Sequence, residues 1–205
     1  MNDVHPFATR VNAQLPEWLM TELHTYNTLL PTAGDRVRLT NRLAARNYKE
    51  GNGGPFAALV VDPATGELIS LGVNVVLSSG LSSVHAEVMA LSLAQVRLGT
   101  WDLGSAGGRE LELVVNWRPC TMCYGALVWS GVKHLLIAGD GPECEELTGF
   151  DEGPMPATWR AELEGRGISV TSGVLREDAI AVFAEYSRSG AIVYNARGTG
   201  SRLQD

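Results

Sequence analysis

His85 and Glu87 stand two residues apart in SSVHAEVMALSLA, and Cys120 and Cys123 three apart in NWRPCTMCYGALVWSG. A neutral imidazole and two thiolates are zinc ligands. Three protein ligands leave one coordination position open, the arrangement of a catalytic site, whereas a structural site normally closes with four Cys or His. A CxxC pair directs two sulfurs to one ion where a tight turn enters a helix, and Pro119 suits that entry because its missing N–H has no intrahelical partner to lose. The partial positive charge of a helix N-terminus stabilises the thiolates. Glu87 is too near His85 along the chain to share its helical face, where partners are three or four apart. In a first turn it can still point into the pocket and exchange protons with a water that zinc has made acidic.

Each fragment has an ordinary reading when taken alone. Glu87 suits a helix dipole, His85 suits a hydrogen-bonded structural position, and CxxC suits a redox pair. Their conjunction selects the metal reading. His5, His24 and His134 supply no fourth-ligand motif, and Cys144 in GDGPECEELTG reads as a free loop cysteine outside the site.

The elements that must position these residues follow from periodicity. PEWLMTELHTYNTLL and GDRVRLTNRLAARNYKE carry apolar residues at helical spacing, with Pro16 and Asp35 as start signals. PFAALVVDPATGELISLGVNVVLS contains two Val-rich runs about a Pro- and Gly-punctuated turn, a β-hairpin. SSVHAEVMALSLAQVRLG predicts a helix with Ser82 or Ser83 as N-cap and Gly99 as its stop. LELVVN, CTMCYGALVWSG and KHLLIAG then alternate strand, helix and strand, with the strands parallel. PATWRAELEGRG, ISVTSGV and REDAIAVFAEYSRSG add helix, short strand and helix. The expected fold is α/β, a three-layer α/β/α sandwich around a mixed, five-stranded sheet.

The 205 residues are 45% hydrophobic, enough for a sizeable core in one domain with modest extensions. A formal charge of -7 argues against a broad nucleic-acid footprint, which clustered Lys and Arg would supply. The first residues show no signal-peptide pattern, and no apolar run approaches bilayer-spanning length. Three cysteines, two of them in CxxC, suit a reducing compartment, so a soluble, cytoplasmic protein without a membrane partner is expected.

HxE followed by PCxxC is the zinc nucleobase deaminase signature. At these residues the chain resembles the cytidine and deoxycytidylate deaminase superfamily, and more closely its guanine deaminase branch, over roughly Gly53 to Tyr194. GGPFAALVV, GVNVV, HAEVMAL, PCTMCYGALVWSG and GFDEGP carry the resemblance in that order. It implies a cytidine deaminase-like fold, one zinc per chain on His85, Cys120 and Cys123, and catalysis by Glu87 with Glu152 as a second proton shuttle. It also implies that Asn74 hydrogen-bonds the purine, Phe56 stacks on it, the Ala86 N–H contacts the base or attacking oxygen, Trp129 lies near the base, and Tyr194 caps the pocket. On composition alone Phe56 and Trp129 would be core residues, Asn74 a turn residue and Glu152 a solvated loop acid.

The implied organisation is an N-terminal helical extension over 1–52 packed on a zinc-dependent deaminase domain over 53–195, with a mobile tail over 196–205. The implied activity is hydrolysis of guanine to xanthine and ammonia in purine metabolism by a homodimer whose apolar YGALVWSGVKHLL face joins the copies. Cytosine, cytidine, guanosine and an ammeline-like triazine are alternatives for the same centre; a tRNA adenosine or a non-catalytic zinc protein fits less well. Arg118 departs from the family pattern, standing where relatives commonly carry an acidic residue before PC, and the chain continues past Tyr194 where the family often ends in an aromatic cap.

Overall fold

The two Val-rich runs pair antiparallel as β1 (Ala57–Val61) and β2 (Leu68–Val73), with Leu59 opposite Leu71. The Asp62 carboxylate accepts the Ala64 N–H at 3.0 Å and fixes the start of the turn between them. The computed structural model describes residues 7–25, 29–105 and 107–196. β3 (Glu112–Val115) lies antiparallel to β1, and β4 (His134–Ile137) and β5 (Ser169–Ser172) follow in parallel. The order β2-β1-β3-β4-β5 is the expected mixed, five-stranded sheet.

Successive strand residues point to opposite faces, so the sheet needs two covers. Ala57, Leu59, Val61, Val114 and Leu136 pack with Leu19 of α1 (Glu17–Glu22), Val37 and Leu43 of α2 (Ala33–Lys49) and Phe183 of α8 (Arg176–Arg188). Ala58, Val60, Leu113, Val115 and Leu135 pack with Ala90 of α4 (Ala86–Leu98), Leu127 of α5 (Thr121–Ser130) and Leu163 of α7 (Trp159–Glu164). These are the three layers of an α/β/α sandwich. Among the described residues no helix is long and apolar enough to cross a membrane.

The buried Arg36 of α2 meets the buried Glu112 of β3 at 2.8 Å and also donates to the Leu30 and Pro31 carbonyls. It thereby ties the segment before α2 to the sheet. Removing one partner would leave an unpaired buried charge, a loss of about 3–5 kcal/mol.

Several helix starts differ from expectation. Thr32, not Asp35, is the N-cap of α2: its hydroxyl accepts the Asp35 N–H at 3.1 Å while the Asp35 carboxylate accepts the Thr32 N–H at 3.4 Å, a capping box. α1 is shorter than its apolar pattern, passing into a 3-10 turn at Leu23–Thr25 before Leu29 bridges to Glu67 and requires extended chain. α4 starts at Ala86 with His85 as N-cap, so Ser82 and Ser83 precede the helix instead of capping it. α3 (Val76–Ser79) and α6 (Glu143–Thr148) were not expected, because four and six residues are too few to display a helical period. Cys144 consequently sits buried on α6, not in a loop.

Two close approaches position the cleft. A Cβ on Gly72 would lie 2.3 Å from the Ala86 carbonyl oxygen and 2.5 Å from the Ala90 nitrogen, so only glycine lets β2 receive the first turns of α4. A Cβ on Gly53 would fall 2.2 Å from Asn74 Oδ1. The fully buried Asn116 at the end of β3 holds the intervening loop, donating to the Pro55 carbonyl at 3.0 Å and accepting the Ala57 N–H at 3.1 Å.

Candidate metal centre and cleft

His85 and Cys120 occupy the same position in two different helices. Each is an N-cap with extended backbone, φ -68° and ψ 165° for His85 before α4, φ -65° and ψ 170° for Cys120 before α5. Neither side chain bends back to cap its helix. They face each other instead, His85 Nδ1 lying 3.5 Å from Cys120 Sγ. Cys123, one turn into α5 and fully buried, completes a group whose three ligand atoms lie within 4.8 Å of one another.

That donor set fits zinc. Zn–S bonds near 2.3 Å and Zn–N bonds near 2.0–2.1 Å place tetrahedral donors about 3.5–3.8 Å apart. His85 and Cys120 head α4 and α5, so the partial positive charge of two helix N-termini lies beside this group and favours thiolate. Hydrogen bonding with Cys123, and then with His85, overcomes burial and draws the Cys120 thiol down to about 4. The same Cys120 bond, with burial, holds Cys123 well above the ordinary thiol range. The pair therefore shares one proton at neutral pH, which metal binding would release because both thiolates are then required. Burial opposes protonation of His85, but its bond to Cys120 and the nearby Glu87, Cys120 and Glu152 charges raise its pKa.

Two carboxyl groups adjoin the centre. Glu87 is buried in the first turn of α4, and burial first, then the Cys120 charge, pushes its pKa up against the opposing pull of His85. Glu152 is half-buried and is pushed up to about 8, chiefly by burial and then by Cys120 and Glu87. A backbone bond places it, since its carbonyl accepts the Thr121 N–H at 3.0 Å beside Cys120. Glu152 can thus hold or release a proton near neutrality, and burial shifts Glu87 in the same direction.

The cleft next to His85 has a volume of about 380 Å³ and is lined by Phe56, Asn74, Val76, Ser82, Phe150, Asp151, Glu152, Gly153, Tyr194 and Asn195 among others. Phe56 belongs to an aromatic cluster, 5.5 Å from the Phe150 ring and 6.0 Å from that of Phe183. Asn74 ends the hairpin at 1% exposure, and Tyr194 reaches it from the far end of the chain. Ala86 is the first residue of α4, so its N–H has no intrahelical acceptor. A larger cleft of about 760 Å³ between residues 13–23 and β2 has Leu15, Met20, Leu71 and Leu93 in its walls and none of the metal ligands. The chemistry belongs to the smaller one.

Trp129 departs from expectation. It stands 82% exposed on the outer side of α5 and is not part of the cleft lining of this chain. The reason is helical phase: Cys123 and Leu127 share the buried face of α5, whereas Trp129 falls on the opposite side. The Arg118 backbone N–H donates to the Gly139 carbonyl, and its buried Nε has no hydrogen-bond partner. His5 and the tail beyond 196 lie outside the described residues.

Three amides that shape the cleft belong to none of the sequence motifs. Asn47 of α2 donates to the carbonyls of Gly54 at 3.0 Å and Asn74 at 2.7 Å. Asn116 holds Pro55 and Ala57. Asn195 accepts the Asp151 N–H and donates to the Gly149 carbonyl, bracketing the loop that leads to Glu152. The only advance signal was a polar residue at a helix position whose neighbours, Leu43 and Ala44, are core.

The family of the cytidine and deoxycytidylate deaminase zinc-binding region matches residues 35–138. The structure of guanine deaminase from Nitrosomonas europaea is 40% identical, with a TM-score of 0.81 over 88% of this chain and 98% of that one. The structure of NE0047 in complex with 2,6-diaminopurine is 41% identical, with a TM-score of 0.81 over 91% of this chain and 97% of that one. Guanine deaminase of Bacillus subtilis strain 168 is 34% identical over 110 residues, 54% of this chain and 65% of that protein, so the match spans just under two thirds of that relative's length. This chain belongs to the cytidine and deoxycytidylate deaminase zinc-binding family. Zinc is the metal its His-Cys-Cys group fits.

The purified protein is expected to carry one zinc per chain by elemental analysis. Cys123→Ser should lose most of it, whereas Cys144→Ala, changing the buried cysteine of α6, should retain it. Zinc loss in the Cys144 variant with retention in the Cys123 variant would place the metal elsewhere.

Proposed function

We propose that this protein hydrolyses the exocyclic amine of guanine, giving xanthine and ammonia. The observation that carries the reading is one small cleft lined by Asn74, Phe56, His85 and Glu152, whose His85 belongs to the His85–Cys120–Cys123 group and adjoins the buried Glu87. The similarity to two proteins named as guanine deaminases, and to one bound to 2,6-diaminopurine, supports the choice of base.

His85, Cys120 and Cys123 would hold the zinc, which when bound supplies Lewis-acid activation of water near neutral pH. The residues of the chain supply the rest. Phe56 offers an apolar face to the ring, and Asn74 a polar contact at its edge. The Glu87 carboxyl takes a proton from the attacking water and gives one to a ring nitrogen. Glu87 and Glu152 then move the proton that the departing amine requires, so guanine and water leave as xanthine and ammonia. The Tyr194 hydroxyl, kept protonated by burial, closes the outer side.

The charged residues of this lining are Asp151 and Glu152, which offer a phosphate no cation. This favours a free base over a nucleotide or tRNA, whose affinity rests on Lys and Arg. A non-catalytic zinc protein would have no use for the buried Glu87. We further infer a homodimer, because Trp129 at 82% and Met122 at 39% exposure present apolar surface on one helix beside the core.

Zinc-loaded protein should release ammonia from guanine, and Glu87→Gln should retain the metal while losing about a thousandfold or more in kcat. Turnover of another aminated ring with none on guanine would reject the substrate. Sedimentation should show a dimer that Trp129→Glu dissociates; a monomeric wild type would remove the interface.

A further inference from the structure

Asn74 has an amide whose two ends are chemically different, and the surrounding donors decide which end meets the cleft. Its Oδ1 accepts from the Val76 N–H at 3.2 Å and from the Tyr194 hydroxyl at 2.7 Å. The proton count on Tyr194 is fixed independently. The Gly54 N–H approaches the same hydroxyl oxygen at 2.7 Å and can only donate, so the single phenolic proton is directed to Asn74. Burial holds that proton in place by raising the Tyr194 pKa. Turning the amide over would set its NH₂ against the Val76 N–H, donor against donor, and would leave the phenolic proton without its acceptor.

The backbone of Asn74 is constrained as well. Its carbonyl accepts from Asn47 at 2.7 Å, and only glycine at position 53 admits the amide in this place, since a Cβ there would lie 2.2 Å from Oδ1. With Oδ1 engaged twice, the remaining polar atom is Nδ2, which has no acceptor among the described residues although Asn74 lines the cleft. The neighbouring Asn195 pins this arrangement to the other wall, donating to the Gly149 carbonyl at 2.9 Å and accepting the Asp151 N–H at 3.0 Å.

We propose that Tyr194 is a positioning residue that fixes Asn74 as a hydrogen-bond donor, so that the bound ring must present an acceptor, a carbonyl oxygen or an unprotonated nitrogen, at that edge. This deepens the proposed function and rests on its placement of the base in this cleft. Asn74 selects by polarity as well as by shape, since a ring offering a donor there would leave two donors facing each other.

The test deletes acceptors from the ligand and the hydroxyl from the enzyme. On zinc-loaded protein, dissociation constants are measured for guanine, 3-deazaguanine, 7-deazaguanine and 2,6-diaminopurine in a Glu87→Gln background that suppresses turnover. One of the three replacements should weaken binding about tenfold or more. Tyr194→Phe, which keeps the ring and its contact with Phe150 while removing the hydroxyl, should shrink that penalty to about threefold or less. Asn74→Asp, which keeps the acceptor for Val76 and lacks the donor, should shrink the same penalty. In the active enzyme Tyr194→Phe should raise KM for guanine more than it lowers kcat. A simple lid predicts that Tyr194→Phe behaves as wild type and only Tyr194→Leu is impaired; that result, or unchanged acceptor penalties in both cleft variants, overturns the proposal. Binding that responds as described in a protein that releases no ammonia from guanine would instead sink the activity while sustaining the positioning role.

Discussion

Two helices begin at one point, and each is headed by a residue that coordinates instead of capping. An N-cap is ordinarily Ser, Thr, Asp or Asn, whose side chain satisfies an orphan N–H of its own helix. His85 and Cys120 forgo that bond and turn toward each other across 3.5 Å. The partial positive charge of both helix starts then provides the electropositive setting that two thiolates need. Most other features of the fold serve to bring those two helix starts together. Gly72 lets α4 settle against β2, and the parallel β3–β4 pairing requires the crossover that α5 supplies.

Around this fixed centre the cleft is assembled from distant loops by amide side chains, those of Asn47 and Asn116 buried and that of Asn195 half-buried. Asn47 joins the Gly54 and Asn74 carbonyls, Asn116 holds Pro55 and Ala57, and Asn195 brackets the loop leading to Glu152. Each of these bonds ties one loop carbonyl or N–H to a fixed partner and so defines one loop position. Tyr194 closes the set by joining Gly54 to Asn74. The result is a polar wall in the cleft that Glu152 and His85 also line.

The hairpin, the motif helices and the parallel strands were legible because their apolar patterns are long and unambiguous. The metal group was legible because spacing within a first turn is local chemistry. The position of the α4 start was not: Ser82 and Ser83 are better caps by propensity, but the close fit of Ala86 and Ala90 on Gly72 outweighs them. Trp129 shows the limit of reading a residue from its motif, since helical phase places it on the outer surface. The bracketing amides act over separations such as the 120 residues between Asn74 and Tyr194, which no local pattern records.

The claim on which the rest depends is a zinc held by two sulfurs and one imidazole with its fourth position open to a light atom. X-ray absorption at the zinc edge of the purified protein reads this directly. Two sulfur scatterers near 2.3 Å and two nitrogen or oxygen scatterers near 2.0–2.1 Å, one of them exchangeable, are expected. A shell of three or four sulfurs, or one with no exchangeable light donor, would contradict it.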